Sequence, residues 1–247
     1  MSGHSKWATI RHKKGAQDAK RGKLFSKLIK EITVAAKMGG GEEESNPRLR
    51  TAVLKAKAAN MPKDNIERAI KKGTGELGTS EYYELSYEGY GPNGVAILVD
   101  TLTDNKNRTA ADIRSIFNKN GGNLGENGCV SYLFNRKGII TYDTENYSED
   151  DILEVALEAG AEDVETSGDT IEVSTSPEDF ESVLDALTSA GLEHSMAEVS
   201  RVPETSVSLD AEGTLKTLRL VDFLDDDDDW QEVASNIDIP DDYDPDE

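Results

Sequence analysis

Apolar residues recur at helical spacing between Lys20 and Met38. Phe25, Leu28, Ile29, Ile32 and Ala36 share one side, and Lys20, Lys23, Lys27, Lys30 and Lys37 fall on the other. The pattern predicts a helix with one dry face and one cationic face, closed by Gly39, Gly40 and Gly41. Asn46-Pro47 reads as a cap followed by proline at the first helical position, opening a second helix to about Asn60. Pro62 opens a third, with Ile66, Ala69 and Ile70 inward and Gly73 as its stop. The first 19 residues lack a sustained apolar period and read as an arm.

After the linker-like run Gly73-Thr74-Gly75-Glu76-Leu77-Gly78-Thr79-Ser80 the period switches to two. Strands are predicted over 84–90 and 94–101, then a helix over 108–118, a glycine-rich turn and a strand over 129–134. From Gly138 the order is strand (139–142), helix capped by Ser148 with Asp151 at the third position, and two strands around Ser167-Gly168-Asp169. A helix capped by Ser176 with Pro177 behind it and a strand (197–202) complete the run. This β-α-β-β-α-β order is ferredoxin-like. Beyond Pro203 come one helix (211–224) and a strand-like segment (230–239), too few to fold alone. The economical solution is that they complete the sheet begun at residue 81.

The resulting fold class is α+β: an N-terminal basic arm and small helical domain, followed by two α/β domains, one ferredoxin-like and inserted into the other. The expected divisions are 1–80, then 81–137 with 204–240 as one discontinuous domain, 138–203, and an acidic tail over 241–247.

Charge changes this picture because it is sorted by position. The chain carries 27 Lys/Arg and 49 Asp/Glu, for a net charge of −22, yet residues 1–80 hold 18 cations against 8 anions. Polyanions are therefore drawn to one end and repelled by the rest, which makes nucleic acid the first partner to consider. The candidate contacts are Lys6, Trp7, Arg11, His12, Lys13 and Lys14 in the arm, and Lys20, Arg21, Lys23, Lys27 and Lys30 on the first helix. The cations serve phosphates and Trp7 offers a stacking face. Lys106 and Arg108 join them because Asn105-Lys106-Asn107-Arg108-Thr109 stands at a helix start, where free N–H groups favour anions. The blander reading of the lysine stripe is a solvated helix face.

Other chemistry has little support. There are 3 His and 1 Cys, with no zinc-site spacing and no nucleophile elbow, so the reading is non-enzymatic with no metal or cofactor. The run Asp225 to Asp229 lacks the ligand spacing of a calcium loop and reads as an acidic surface or partner-mimicking segment. No segment approaches the ~20 apolar residues of a membrane helix, and the N-terminus lacks a signal-peptide core, so a cytoplasmic protein without a membrane partner is expected. Oligomeric state is not legible.

Several blocks in one order resemble the YebC/PmpR family. They are Gly3-His4-Ser5-Lys6-Trp7, Arg11-His12-Lys13-Lys14, Asp18-Ala19-Lys20-Arg21-Gly22-Lys23, Asn46-Pro47-Arg48-Leu49-Arg50, Glu88-Gly89-Tyr90-Gly91-Pro92, Asp104-Asn105-Lys106-Asn107-Arg108-Thr109, Gly121-Gly122-Asn123-Leu124-Gly125 and Ala156-Leu157-Glu158-Ala159-Gly160-Ala161-Glu162-Asp163. The likeness runs to about Ile239. Its departures are Pro62 at the third helix and the unusually acidic C-terminus. The resemblance implies a helical N-terminal domain with two α/β domains, and a DNA-binding transcriptional regulator. It also implies a rival: mitochondrial relatives activate translation of cytochrome c oxidase, and bacterial relatives act on ribosomes stalled at proline-rich nascent chains. Ribosomal RNA, and with it the ribosome, thus stands beside DNA as the expected partner. An acidic protein-interaction adaptor is the third reading.

Overall fold

The computed structural model describes residues 18–78 and 81–240, with side-chain environments from Gly22 onward. The expectations for the arm (Lys6, Trp7, Arg11, His12, Lys13 and Lys14) and for the tail 241–247 lie outside the described residues, as do the side chains of Lys20 and Arg21.

Three helices open the chain: α1 (Asp18–Gly39), α2 (Pro47–Ala58) and α3 (Lys63–Gly73). Leu28, Ile32 and Ala36 of α1 meet Leu49, Val53 and Ala56 of α2 and Ile66 and Ala69 of α3, with Phe25 and Ile29 packed at the margin. This is the apolar face that the spacing predicts. Asn46 does two jobs at the corner. Its Oδ1 accepts from the Leu49 N–H at 3.1 Å, and its Nδ2 donates to the Ala35 and Gly40 carbonyls at 2.8 and 2.9 Å. One side chain therefore caps α2 and satisfies the free carbonyls at the end of α1. Gly73 is required by packing, since a Cβ there would collide with the Thr33 carbonyl and Ala36.

The first sheet has the order β3-β1-β2-β9, from β1 (Tyr83–Tyr90), β2 (Ala96–Thr103), β3 (Asn123–Leu124) and β9 (Trp230–Ser235), with every pairing antiparallel. Both faces of β2 are buried. Val95, Ile97 and Val99 lie under α4 (Lys106–Lys119) and α7 (Ala211–Asp225), in a core shared with Ile113, Phe117, Leu218, Leu224 and Trp230. Ala96 and Leu98 face Val130, Phe134 and Ala234 on the other side. Strand β9 and helix α7 come from the far end of the chain, so the segment after Pro203 does complete this sheet. A short parallel pair, β8 (Val207–Ser208) with β10 (Ile237–Asp238), closes the edge.

Between the halves lies β4 (Phe134–Asp143), α5 (Glu149–Ala159), β5 (Asp163–Ser167), β6 (Thr170–Thr175), α6 (Phe180–Ser189) and β7 (Met196–Pro203), with strand order β5-β6-β4-β7. This antiparallel order with two helices is ferredoxin-like, and it is inserted as expected. Ser148 and Asp151 form the capping box: the Ser148 N–H and Oγ donate to Asp151 Oδ2 at 2.8 and 2.6 Å. Gly160 then ends α5 in the left-handed region at φ 105°. The Ser176 cap holds a turn over Pro177 to Asp179, and α6 proper begins only at Phe180.

One predicted element is corrected. Residues 129–134 do not form a strand; Ser131–Leu133 is a 3-10 turn, and the strand starts at Phe134. Buried Glu88 of β1 is the cause. Its carboxylate accepts from the N–H groups of Gly128, Val130 and Ser131 at 2.7, 2.7 and 2.8 Å, which removes those donors from any ladder. Burial alone would raise the Glu88 pKa, but these backbone donors hold it below the ordinary carboxylate value.

Candidate nucleic-acid interface

Of the predicted site residues whose side chains the structure describes, Lys23, Lys27, Lys30 and Arg108 converge at one place, the side of α1 facing the end of α7 and the start of α4. Here three lysines of the cationic face meet carboxylates of the chain itself. Lys23 Nζ is 2.7 Å from Asp226 Oδ2. Lys27 is buried, and its Nζ donates to the Asp225 carbonyl at 2.6 Å and sits 3.3 Å from Asp225 Oδ1. Lys30 Nζ donates to Asp229 Oδ1 at 2.6 Å and to the Asp228 carbonyl at 2.9 Å. The acidic run that reads as a surface segment is a strap across the lysines of the first helix, some 198 residues away in sequence.

Arg108 reaches the same strap from α4. Its Nη2 donates to Asp229 Oδ2 at 2.6 Å and to Asp104 Oδ1 at 2.8 Å, and these bonds raise the guanidinium pKa further above its ordinary range. Asp229 Oδ2 also accepts from the hydroxyls of Thr103 and Thr109 at 3.0 and 3.2 Å. The carboxylate of Asp229 thus occupies the anion-favouring groups at the start of α4. Asn105 caps that helix, accepting from the Arg108 N–H at 3.1 Å. Burial would raise the Asp229 pKa, but Arg108, Lys30 and Thr103 outweigh it and hold the group below the usual carboxylate range. A shallow open cleft of about 450 Å³ runs between Lys23, Lys30, Arg108 and Asp226 to Asp229.

Lys106 stands apart. It is exposed, with Nζ 4.0 Å above the centre of the Tyr83 ring, a cation–π contact that leaves its outer side open. Asp229, Thr103 and Thr109 are the members that sequence reasoning missed. For Asp229 the signal was an acidic run of sign opposite to the lysine stripe, but nothing local joins the two. Among the described residues no group of three or more His, Cys, Asp or Glu could hold a metal ion, and no helix is long and apolar enough to cross a membrane.

Known proteins share this architecture end to end. Residues 5–76 match the TACO1/YebC protein N-terminal domain, and residues 82–237 match the TACO1/YebC second and third domain. A "Probable transcriptional regulatory protein" of Treponema denticola is 67% identical over 240 residues, covering 97% of both chains. Proteins of the same description from Treponema pallidum and Geobacillus kaustophilus are 61% and 58% identical, covering 97% and 96% of this chain and 98% of each relative. The crystal structure of a conserved hypothetical protein from Aquifex aeolicus superposes with a TM-score of 0.81 at 49% identity, over 90% of this chain and 92% of that one. The family names indicate regulation rather than catalysis, and the chain belongs to the TACO1/YebC family.

Proposed function

We propose that the protein regulates gene expression by binding nucleic acid through its N-terminal arm and the adjoining turns of α1, with no catalytic step. The observation that carries this reading is the sorting of charge, with 18 cations in residues 1–80 of a chain whose net charge is −22. Because the strap engages Lys23, Lys27 and Lys30, initial contact falls to Lys6, Arg11, Lys13, Lys14, Lys20 and Arg21, with Trp7 and His12 as stacking and hydrogen-bonding groups. The relatives are described as probable transcriptional regulatory proteins, which supports a role in transcription, and DNA is the partner such a role would take.

Ribosomal RNA is the second reading. A specific observation supports it: residues 81–247 carry 41 Asp/Glu against 9 Lys/Arg, and such a surface repels a duplex lying along it. An arm threaded between RNA segments avoids that penalty and leaves the acidic domains facing basic ribosomal proteins or solvent.

The test pairs footprinting with ribosome sedimentation, using the full chain and a form lacking residues 2–22. If about six arm cations meet phosphates, affinity should fall by about three orders of magnitude between about 50 and 200 mM salt through counterion release. A discrete footprint at about 150 mM salt without ribosome retention supports transcription. Retention on ribosomes, lost with residues 2–22, supports translation. Failure of both would leave an acidic adaptor for proteins.

A further inference from the structure

The strap has the geometry of a substitute phosphate chain. Five consecutive acids, Asp225 to Asp229, run between α7 and β9, and the carboxylates of Asp225, Asp226 and Asp229 meet lysines of the helix that continues directly from the basic arm. Asp229 makes the comparison closest. Its two oxygens take hydrogen bonds from an ammonium, a guanidinium and two threonine hydroxyls beside the first turn of a helix, a donor set suited to a phosphate.

The strap is also divided into two parts. Asp229 is buried and satisfied on every side, and its backbone is tied in as well, with its carbonyl accepting from the Leu102 N–H at 2.7 Å. Lys27 with Asp225 is only 11% and 24% exposed, while the outer pair, Lys23 with Asp226, is held more loosely. The side chains of Lys23 and Asp226 are 42% and 58% exposed, and Asp228 is exposed. Ion pairs at such exposure are weak and screened by salt, so a strand of phosphates guided in by the arm can displace them, whereas Asp229 stays as the fixed root.

We propose that Asp225 and Asp226 form an internal competitor for the cationic side of α1, displaced when nucleic acid spreads from the arm onto Lys23 and Lys27, while Lys30 stays with Asp229. This rests on the nucleic-acid reading above and extends it: the site has a second, latent half. Displacement removes two of the three ion pairs described between α1 and the strap and leaves Lys30 with Asp229, so binding is coupled to a loosening of the N-terminal part of α1 from the rest. The coupling is reciprocal, because whatever weakens the strap strengthens binding by the same factor.

The test compares two full-length variants of equal charge. D225N/D226N removes the two competing carboxylates. D150N/E154Q removes two exposed charges from α5 in the ferredoxin-like unit. Binding to oligouridylate and to a random DNA duplex is measured at about 150 mM salt, after each variant is shown by circular dichroism and urea titration to fold. The strap variant should bind about tenfold more tightly than the parent and the α5 variant less than about threefold, since only the first frees specific phosphate contacts. Equal gains would overturn the strap and leave the nucleic-acid reading intact. Binding by none of the three proteins would overturn both.

A second measurement needs no strap substitution. Spin labels at L24C and F223C, in a C129S background, report the distance between α1 and α7. Saturating oligouridylate should produce a longer population, and an unchanged distance in a protein that binds overturns the proposal.

Discussion

Asp229 and Glu232 lie three residues apart at the start of the same strand, and the protein treats them in opposite ways. Asp229 is fully enclosed and stays charged, because Lys30, Arg108 and two threonines supply more donors than its burial removes. Glu232 is half-buried where all three domains meet. The Arg201 N–H reaches its Oε1 at 2.5 Å, but desolvation, with Glu198 and Asp100 nearby, pushes its pKa up to about 7. Lys55 of α2 lies near and works the other way, while Arg201 is engaged by Asp100 at 3.2 Å. Burial pushes both carboxylates toward the neutral form, and their neighbours settle whether it prevails. The balance of donors to carboxylates decides, and an acidic chain has to place its few cations where burial would otherwise be prohibitive.

The largest expected effect tests the enclosed side of that comparison. D229N keeps the shape but leaves Lys30 and Arg108 without their charged partner, and we expect a loss of about 3 kcal/mol in urea unfolding. The sign with pH follows from the depressed native pKa. Asp229 contributes fully above its ordinary value of 3.8, and the contribution is lost as pH falls below it. A variant as stable as the parent would mean that the strap is not anchored at Asp229.

Glu88 extends the rule to a carboxylate satisfied without any cation. In E88Q an amide N–H must face backbone donors from Gly128, Val130 or Ser131, which should cost about 2 kcal/mol. The loop carrying Cys129 should loosen, so its thiol should react faster with a maleimide or disulfide reagent. Destabilisation without faster labelling would place the role of Glu88 in β1 rather than in the loop.

Glu232 should respond with the opposite sign. Its native pKa is raised above the ordinary 4.5, so its contribution is greatest below that value and declines as pH rises toward about 7. E232Q mimics the protonated form, and at pH 8 it should be more stable than the parent by about 1–2 kcal/mol, with the gap closing by about pH 5. A pH-independent difference between the two proteins would mean that Glu232 is not the group that titrates.

The sequence made local features legible and left distant charge pairing hidden, for a physical reason. Asn46-Pro47 and Ser148 with Asp151 act within a few residues, so their caps and the helices behind them are readable from spacing. The insertion of the ferredoxin-like unit is readable from what is missing, since 204–240 cannot bury a helix and a strand alone. Residues 129–134 misled because their alternation suits a strand, while the carboxylate that recruits their N–H groups sits about forty residues upstream at Glu88. The lysine stripe misled in the same way. A cationic helix face reads identically whether it meets water, phosphate or Asp225 to Asp229, and only the fold chooses among them.

The smallest expected effect marks where this logic ends. Arg50 of α2 reaches Glu181 of α6 through Nε and Nη2 at 3.1 and 2.7 Å, the bidentate geometry that elsewhere signals a strong contact. Both side chains are about a third exposed, so water and salt screen the pair and holding two long side chains in place offsets the remainder. The Glu181 bonds raise the Arg50 pKa, yet arginine is charged in either state across the accessible range, so no pH dependence follows. In a double-mutant cycle of R50M and E181Q, the coupling in urea unfolding should vanish at about 1 M salt, where the screening length is about 3 Å. At low salt it should stay far below the loss from D229N. A coupling that survives high salt would mean the helical domain is locked to the ferredoxin-like unit through this pair, and the strap would then be only one of two hinges that nucleic acid must release.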